Sequence, residues 1–143
     1  MKLTSSGRGR RQRTEKHTLF IDRSLGKSVA SALDRFPWFR VVVMADVFQN
    51  DGQRVKDEQW PARAGAEGWI VLTQDARIWR REDERAAVLN HGVRVFCLGG
   101  QTYPVALRAL LYGRYVFPMM RRAKHAAPCF WRLYPERVIK DLR

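Results

Sequence analysis

Three short apolar runs in this chain each lead into an aspartate. Leu19-Phe20-Ile21 meets Asp22, Arg40-Val41-Val42-Val43-Met44-Ala45 meets Asp46, and Trp69-Ile70-Val71-Leu72 reaches Asp75 through Thr73-Gln74. Continuous apolar runs of this kind, without polar alternation, read as strands buried on both faces. Val93 to Leu98 is a fourth such run, ending at Gly99-Gly100, and Cys129 to Tyr134 is a further candidate. The segments between them are helical in pattern. Ser24 is placed to cap a helix over Leu25 to Phe36, where Val29, Ala32, Leu33 and Phe36 recur at helical spacing before Pro37 stops it. Lys56 to Ala66 is weakened as a helix by Pro61 and predicts one or two short turns around Asp57, Glu58, Trp60 and Ala64. Glu82 to Asn90 predicts a helix with Ala86, Val88 and Leu89 inward and Gly92 as its stop. Tyr103 to Lys124 predicts a long helical stretch interrupted near Pro118, with Leu107, Leu110, Leu111 and Tyr115 as core or as a homodimer face. Strands alternating with helices in this way specify an α/β protein with a mainly parallel sheet and helices on both faces.

Charge divides the chain differently. With 27 Lys and Arg against 14 Asp and Glu the net charge is +13, which points to a polyanionic partner. Residues 1–16 hold six basic residues and one acid, residues 101–143 nine and two, and the centre twelve and eleven. The first 16 residues have almost no apolar side chains and predict a mobile basic arm able to follow a phosphate backbone; residues 17–143 then form one domain. Two cysteines in 143 residues exclude a disulfide-rich scaffold and a multi-cysteine zinc site. The longest strictly apolar run, Val41 to Ala45, is far short of the roughly 20 residues that span a bilayer. The expectation is a cytoplasmic protein without membrane contact.

The aspartates carry the chemistry. Ligands of open parallel sheets bind outside the carboxyl ends of the strands, so Asp22, Asp46 and Asp75 should converge on one edge, with Asp57 and Glu58 near it. An aspartate after a strand often does no more than cap the turn that follows; only the coincidence of several asks for more. Clustered carboxylates repel unless a hard cation sits among them, and Mg²⁺ or Mn²⁺ suits carboxylate oxygens and water. Such an ion activates a water against a phosphodiester. Arg23, Arg77, Arg80 and Arg81 flank this edge with Trp79 among them, charge for phosphate and a ring for a base. The same charge equally suits a basic nucleic-acid-binding module without catalysis, or a subunit whose basic ends dock an acidic protein.

Phe20-Ile21-Asp22-Arg23-Ser24-Leu25-Gly26, then Asp57-Glu58-Gln59-Trp60, then Gly68-Trp69-Ile70-Val71-Leu72-Thr73-Gln74-Asp75 resemble the PIN-like domain family, and within it the VapC-type toxins of bacterial toxin–antitoxin pairs. The resemblance spans roughly residues 18–100, and Leu72-Thr73-Gln74-Asp75 is its most specific piece. It implies a three-layer α/β/α sandwich and a metal-dependent endoribonuclease, a toxin that hydrolyses RNA phosphodiesters and is held in check by a cognate antitoxin. It implies Asp22, Asp57 and Asp75 as catalytic ligands of Mg²⁺ or Mn²⁺. Asp46 is added as a metal ligand from strand topology, not from the resemblance. Family members often carry a further acid after the next strand, where this chain has Gly99-Gly100.

Overall fold

A computed structural model describes residues 17–48, 59–99, 102–124 and 127–140. Among them six strands form one sheet: β1 (His17–Ile21), β2 (Phe39–Val43), β3 (Ile70–Thr73), β4 (Arg94–Leu98), β5 (Cys129–Leu133) and β6 (Val138–Lys140). The order across the sheet is β2-β1-β3-β4-β5-β6. The first five strands are parallel and β6 pairs antiparallel with β5. That last strand was not foreseen: it covers an edge of the sheet with a short return of the chain.

Alternate residues of each strand enter opposite cores, as the pleat requires. Leu19, Ile21, Ile70, Leu72, Phe96 and Leu98 face one core. Phe20, Val71, Val95 and Cys97 face the other. The first core is closed by α1 (Lys27–Asp34), α6 (Val105–Arg114) and α7 (Val116–Ala123), the second by α3 (Gln59–Glu67), α4 (Arg77–Arg80) and α5 (Glu82–His91). A one-turn helix, α2 (Met44–Val47), follows β2. This is the expected three-layer α/β/α sandwich. Two helices of the second layer approach so closely that a Cβ on Gly65 would lie 2.0 Å from the His91 carbonyl oxygen, a position only glycine can fill.

Several local expectations are corrected. β2 lies at the edge of the sheet, so Val41, Val42 and Val43 are half-buried and not buried on both faces. The strand stops at Val43, and Asp46 sits within α2 with its side chain exposed. Ser24 does not cap α1: it belongs to a 3₁₀ turn, Arg23–Leu25, and Gly26, at φ 88, is the N-cap. Pro61 leaves a nine-residue helix intact, because it falls in the first turn, where an N–H has no intrahelical acceptor. In α5 the inward stripe is Glu84, Ala87 and Val88, while Ala86 and Leu89 are exposed. Burial of Glu84 is offset by Arg81, whose Nη1 donates to its carboxylate at 2.7 Å. The break in the last helical stretch falls at Tyr115, three residues before Pro118, which leaves the proline in the first turn of α7. Leu111 and Tyr115 are core, whereas Leu107 and Leu110 are exposed on α6. None of the helices among the described residues is long and apolar enough to cross a membrane.

Candidate functional site

The strand order places the topological switch between β1 and β3: from β1 the chain goes to one side for β2 and to the other for β3. In open parallel sheets the crevice at such a point is where ligands bind. Ile21 pairs with Leu72, so the residues leaving β1 and β3 emerge side by side. The Asp22 amide continues the ladder by donating to the Leu72 carbonyl at 3.0 Å. Asp22 and Asp75 are therefore delivered to one edge by the sheet itself.

Short polar residues fix both aspartates. Oδ2 of Asp22 accepts from the Ser24 hydroxyl at 2.6 Å, from the Ser24 amide at 3.2 Å and from the Thr73 hydroxyl at 2.9 Å. The fully buried Thr73 hydroxyl in turn accepts from the Asp75 amide at 3.0 Å. One hydroxyl thus joins the two acidic residues. Gln74 ties the surrounding loops: its amide donates to Ser24 Oγ, its Nε2 to the Ser24 carbonyl, and its Oε1 accepts from the Tyr103 amide. Arg108 completes the tie, donating from Nε to the Tyr103 carbonyl and from Nη1 to the Leu25 carbonyl. Beneath the edge, the buried Tyr112 hydroxyl lies 2.7 Å from the Thr73 carbonyl and 2.9 Å from that of Phe96, its single proton shared between the ends of β3 and β4. Burial holds this phenol well above its ordinary value of 10.0, so it is neutral at physiological pH.

The two carboxylates differ in what remains open. Among the described residues Oδ2 of Asp22 takes all three donors and Oδ1 takes none. Asp75 is gripped by Arg77: Oδ1 accepts from the Arg77 amide at 3.0 Å and from its Nε at 2.9 Å, and Oδ2 from its Nη2 at 3.3 Å. Burial pushes the Asp75 carboxyl up, but the hydrogen bonds and charge of Arg77, with the charge of Arg81, outweigh it and hold the carboxyl below 3.8. Both aspartates do cap the turns after their strands, as isolated aspartates commonly do. In Asp22 that role uses one oxygen only.

Asp57 lies outside the described residues. Asp46 is exposed on α2, and no hydrogen bond joins it to Asp22 or Asp75 among the described residues. Among those residues no group of three or more His, Cys, Asp or Glu is gathered as a metal site. A hard cation such as Mg²⁺ is commonly held by one or two carboxylates with water completing its shell. The open Oδ1 of Asp22 fits that need directly, and Asp75 fits it when Arg77 lets go.

Of the arginines, Arg23 is exposed on the 3₁₀ turn, Arg77 holds Asp75, and Arg81 is engaged with Glu84. Arg77 and Arg80 line a cavity of about 580 Å³ that opens beside Asp75 and also meets Ser24, Gln74, Arg132 and Tyr134. Sequence reasoning missed Ser24, Thr73 and Gln74 as site residues, although each stands within two positions of an aspartate. Arg132 and Tyr134 carried no signal at all.

The description "PIN like domain" matches residues 18–100. A Mycobacterium tuberculosis (strain ATCC 25618 / H37Rv) protein named "Putative ribonuclease VapC45" is 30% identical over 125 residues, covering 87% of this chain and 91% of that protein. No solved structure matches the chain significantly. A match over more than half of the chain, joined to a parallel sheet with Asp22 and Asp75 at its switch point, places this protein in the PIN-like domain family.

Proposed function

We propose that the protein is a metal-dependent endoribonuclease, the toxin of a toxin–antitoxin pair. The observation that carries this is the pair of strand-terminal carboxylates joined through Thr73 at the switch point, next to an arginine-lined cavity. The name of the M. tuberculosis relative supports RNA as substrate. Asp22 and Asp75, with Asp57, would hold Mg²⁺ or Mn²⁺. That ion would supply an activated water and charge stabilisation at the phosphate. Asp22 is oriented by Ser24 and Thr73 through Oδ2, so its other oxygen is presented without reorganisation. Arg77 balances Asp75 until a cation arrives, and can then turn to a phosphate. Arg23, Arg80 and Arg81 extend the basic rim along which the RNA backbone lies. A cognate antitoxin would silence the enzyme by covering this edge.

The test is cleavage of a mixed-sequence single-stranded RNA with Mg²⁺, with Mn²⁺ and with EDTA. Cleavage should require a divalent cation and be lost in Asp22→Asn and Asp75→Asn while RNA binding persists. Unchanged cleavage in both variants would overturn the assignment. The grip of Arg77 on Asp75 favours one competing reading, a non-catalytic basic nucleic-acid-binding module of the same fold. That reading expects the wild-type protein to bind RNA and cut none with either cation.

A further inference from the structure

Beyond the family match, the first turn of α6 sends one side chain back to the acidic edge. The Arg108 amide donates to the Pro104 carbonyl at 3.1 Å, which seats the residue at the start of the helix. Its half-buried guanidinium then spans two segments. Nε donates to the Tyr103 carbonyl at 2.6 Å, and Nη1 donates to the Leu25 carbonyl at 3.0 Å, 83 residues away in sequence.

A helical turn leaves its last carbonyls without partners of its own. In the 3₁₀ turn after Asp22 two of them are taken by side chains from elsewhere: that of Ser24 by Gln74 Nε2 at 3.1 Å, and that of Leu25 by Arg108. Gln74 Oε1 accepts from the Tyr103 amide at 3.3 Å. Arg108 and Gln74 therefore hold successive carbonyls of the turn and opposite ends of Tyr103. Ser24, Leu25, Arg108, Tyr103 and Gln74 close a ring of hydrogen bonds.

That ring reaches Asp22 through the backbone. A peptide unit is planar, and the Ser24–Leu25 unit gives its carbonyl to Gln74 and its N–H to the Asp22 carbonyl at 3.0 Å. Holding one end sets the other. The next unit has its carbonyl on Arg108 and runs into Gly26 at φ 88. Glycine adopts many conformations at similar cost, so the guanidinium fixes a unit that Gly26 by itself would leave loose. The same turn carries the Ser24 amide and hydroxyl that occupy Oδ2 of Asp22, while among the described residues Oδ1 takes no donor.

We propose that Arg108, working with Gln74, is a positioning residue for Asp22: it locks the 3₁₀ turn in the conformation that presents Oδ1 to a divalent cation. This rests on the metal-dependent ribonuclease reading above. Arg108 touches neither the cation nor the reacting atoms.

The test uses the full chain without RNA. Mn²⁺ is titrated in and the free ion is read by electron paramagnetic resonance. Asp22→Asn should abolish the tight site, which assigns the signal to this edge. Arg108→Met should weaken Mn²⁺ binding about tenfold, the low end of the loss when a partner that orients a metal ligand is removed. Arg108→Lys keeps the charge but lacks the rigid fork that spans both carbonyls, and should lose about threefold. Gln74→Met should lose severalfold, and the double variant no more than Arg108→Met, because both side chains hold one turn. Val88→Ala opens a cavity in the other core; it should lower Tm and leave Mn²⁺ affinity unchanged. Cleavage of single-stranded RNA with Mn²⁺ is followed in parallel, where Arg108→Met should lower kcat about tenfold and leave KM for RNA nearly unchanged. Should Arg108→Met fail to fold by circular dichroism, Arg108→Lys carries the same comparison. Unchanged Mn²⁺ affinity in folded Arg108 variants, or an equal loss in Val88→Ala, overturns the positioning role and leaves the ribonuclease reading standing. Weakened Mn²⁺ binding in Arg108→Met, with no cleavage by the wild-type protein, upholds the positioning role and removes the ribonuclease reading. Mn²⁺ binding that is absent from the wild-type protein, or that survives Asp22→Asn, overturns both.

Discussion

The carboxyl ends of β1 and β3 and those of β4 and β5 belong to one sheet edge and are built on opposite principles. At the first, two acids are immobilised by the short side chains of Ser24, Thr73 and Gln74, through hydrogen bonds made largely within two residues of each acid or across one ladder step. At the second, the longer side chains of Arg80, Arg132 and Tyr134, from α4, β5 and the residue after it, line a cavity. The first half would suit an ion held at a fixed place, since among the described residues one oxygen of Asp22 takes no donor. On the proposed ribonuclease reading, the reaction would sit at the first pair of strand ends and substrate contact beside it.

Substitutions can separate the halves, and Asp22→Asn should do so most sharply. Cleavage of RNA should fall on the order of 10²–10³-fold, the scale of losing one preorganised electrostatic contact at a reacting centre. Affinity for RNA in EDTA should hold or rise, because a negative charge has been removed. A parallel loss of binding would mean that the two halves are one. Next in size is Tyr112→Phe, which leaves the Thr73 and Phe96 carbonyls without their buried donor. Urea unfolding should show about 1–3 kcal/mol lost, with cleavage and binding both reduced, since this hydroxyl lies under the two halves at once. A stability loss with both activities intact would separate the edge from its support. Gly99→Ala acts on one side only: the added methyl must displace the Tyr134 ring. RNA affinity should drop severalfold while kcat at saturating RNA is kept.

The smallest effect belongs to Arg77→Gln. The folded-state carboxyl of Asp75 lies below 3.8, so its contribution to stability is present above that value and fades as pH falls through the lower, folded one. Without the guanidinium the downward shift shrinks to what the Arg77 amide and the charge of Arg81 supply. Thermal melts between pH 2 and 5 should show a flatter acid limb, and Mn²⁺ should bind severalfold more tightly because its competitor is gone. An unchanged cation affinity would show that Arg77 and the metal do not share Asp75.

Legibility in the sequence followed the same division. The sheet, its parallel sense and the convergence of Asp22 and Asp75 were readable because β1, β3 and β4 are apolar on both faces, and β1 and β3 run to a polar stop. β2 was misjudged for a tertiary reason: Val41, Val42 and Val43 look like a central strand, but the strand order leaves them at the edge. In α5 the inward face was misphased because the expected stripe was built from apolar residues alone, whereas pairing with Arg81 lets Glu84 turn in. Asp46 was placed by extrapolating β2 past Val43, where the backbone instead coils into α2. Asp57 lies outside the described residues. Arg132 and Tyr134 were invisible, since no local pattern says which side chains of β5 look toward α4. That depends on the pairing of Cys97 with Arg132, which only the assembled sheet fixes.

Gly99 is followed in the chain by two helices before β5 comes back to lie against β4. A cut in that connection divides the protein into a piece carrying the acids and a piece carrying Arg132 and Tyr134. Two such fragments, expressed separately and mixed, would regain a complete edge only by reassociating through the β4–β5 ladder, which makes that seam a natural place to install a chemically triggered switch.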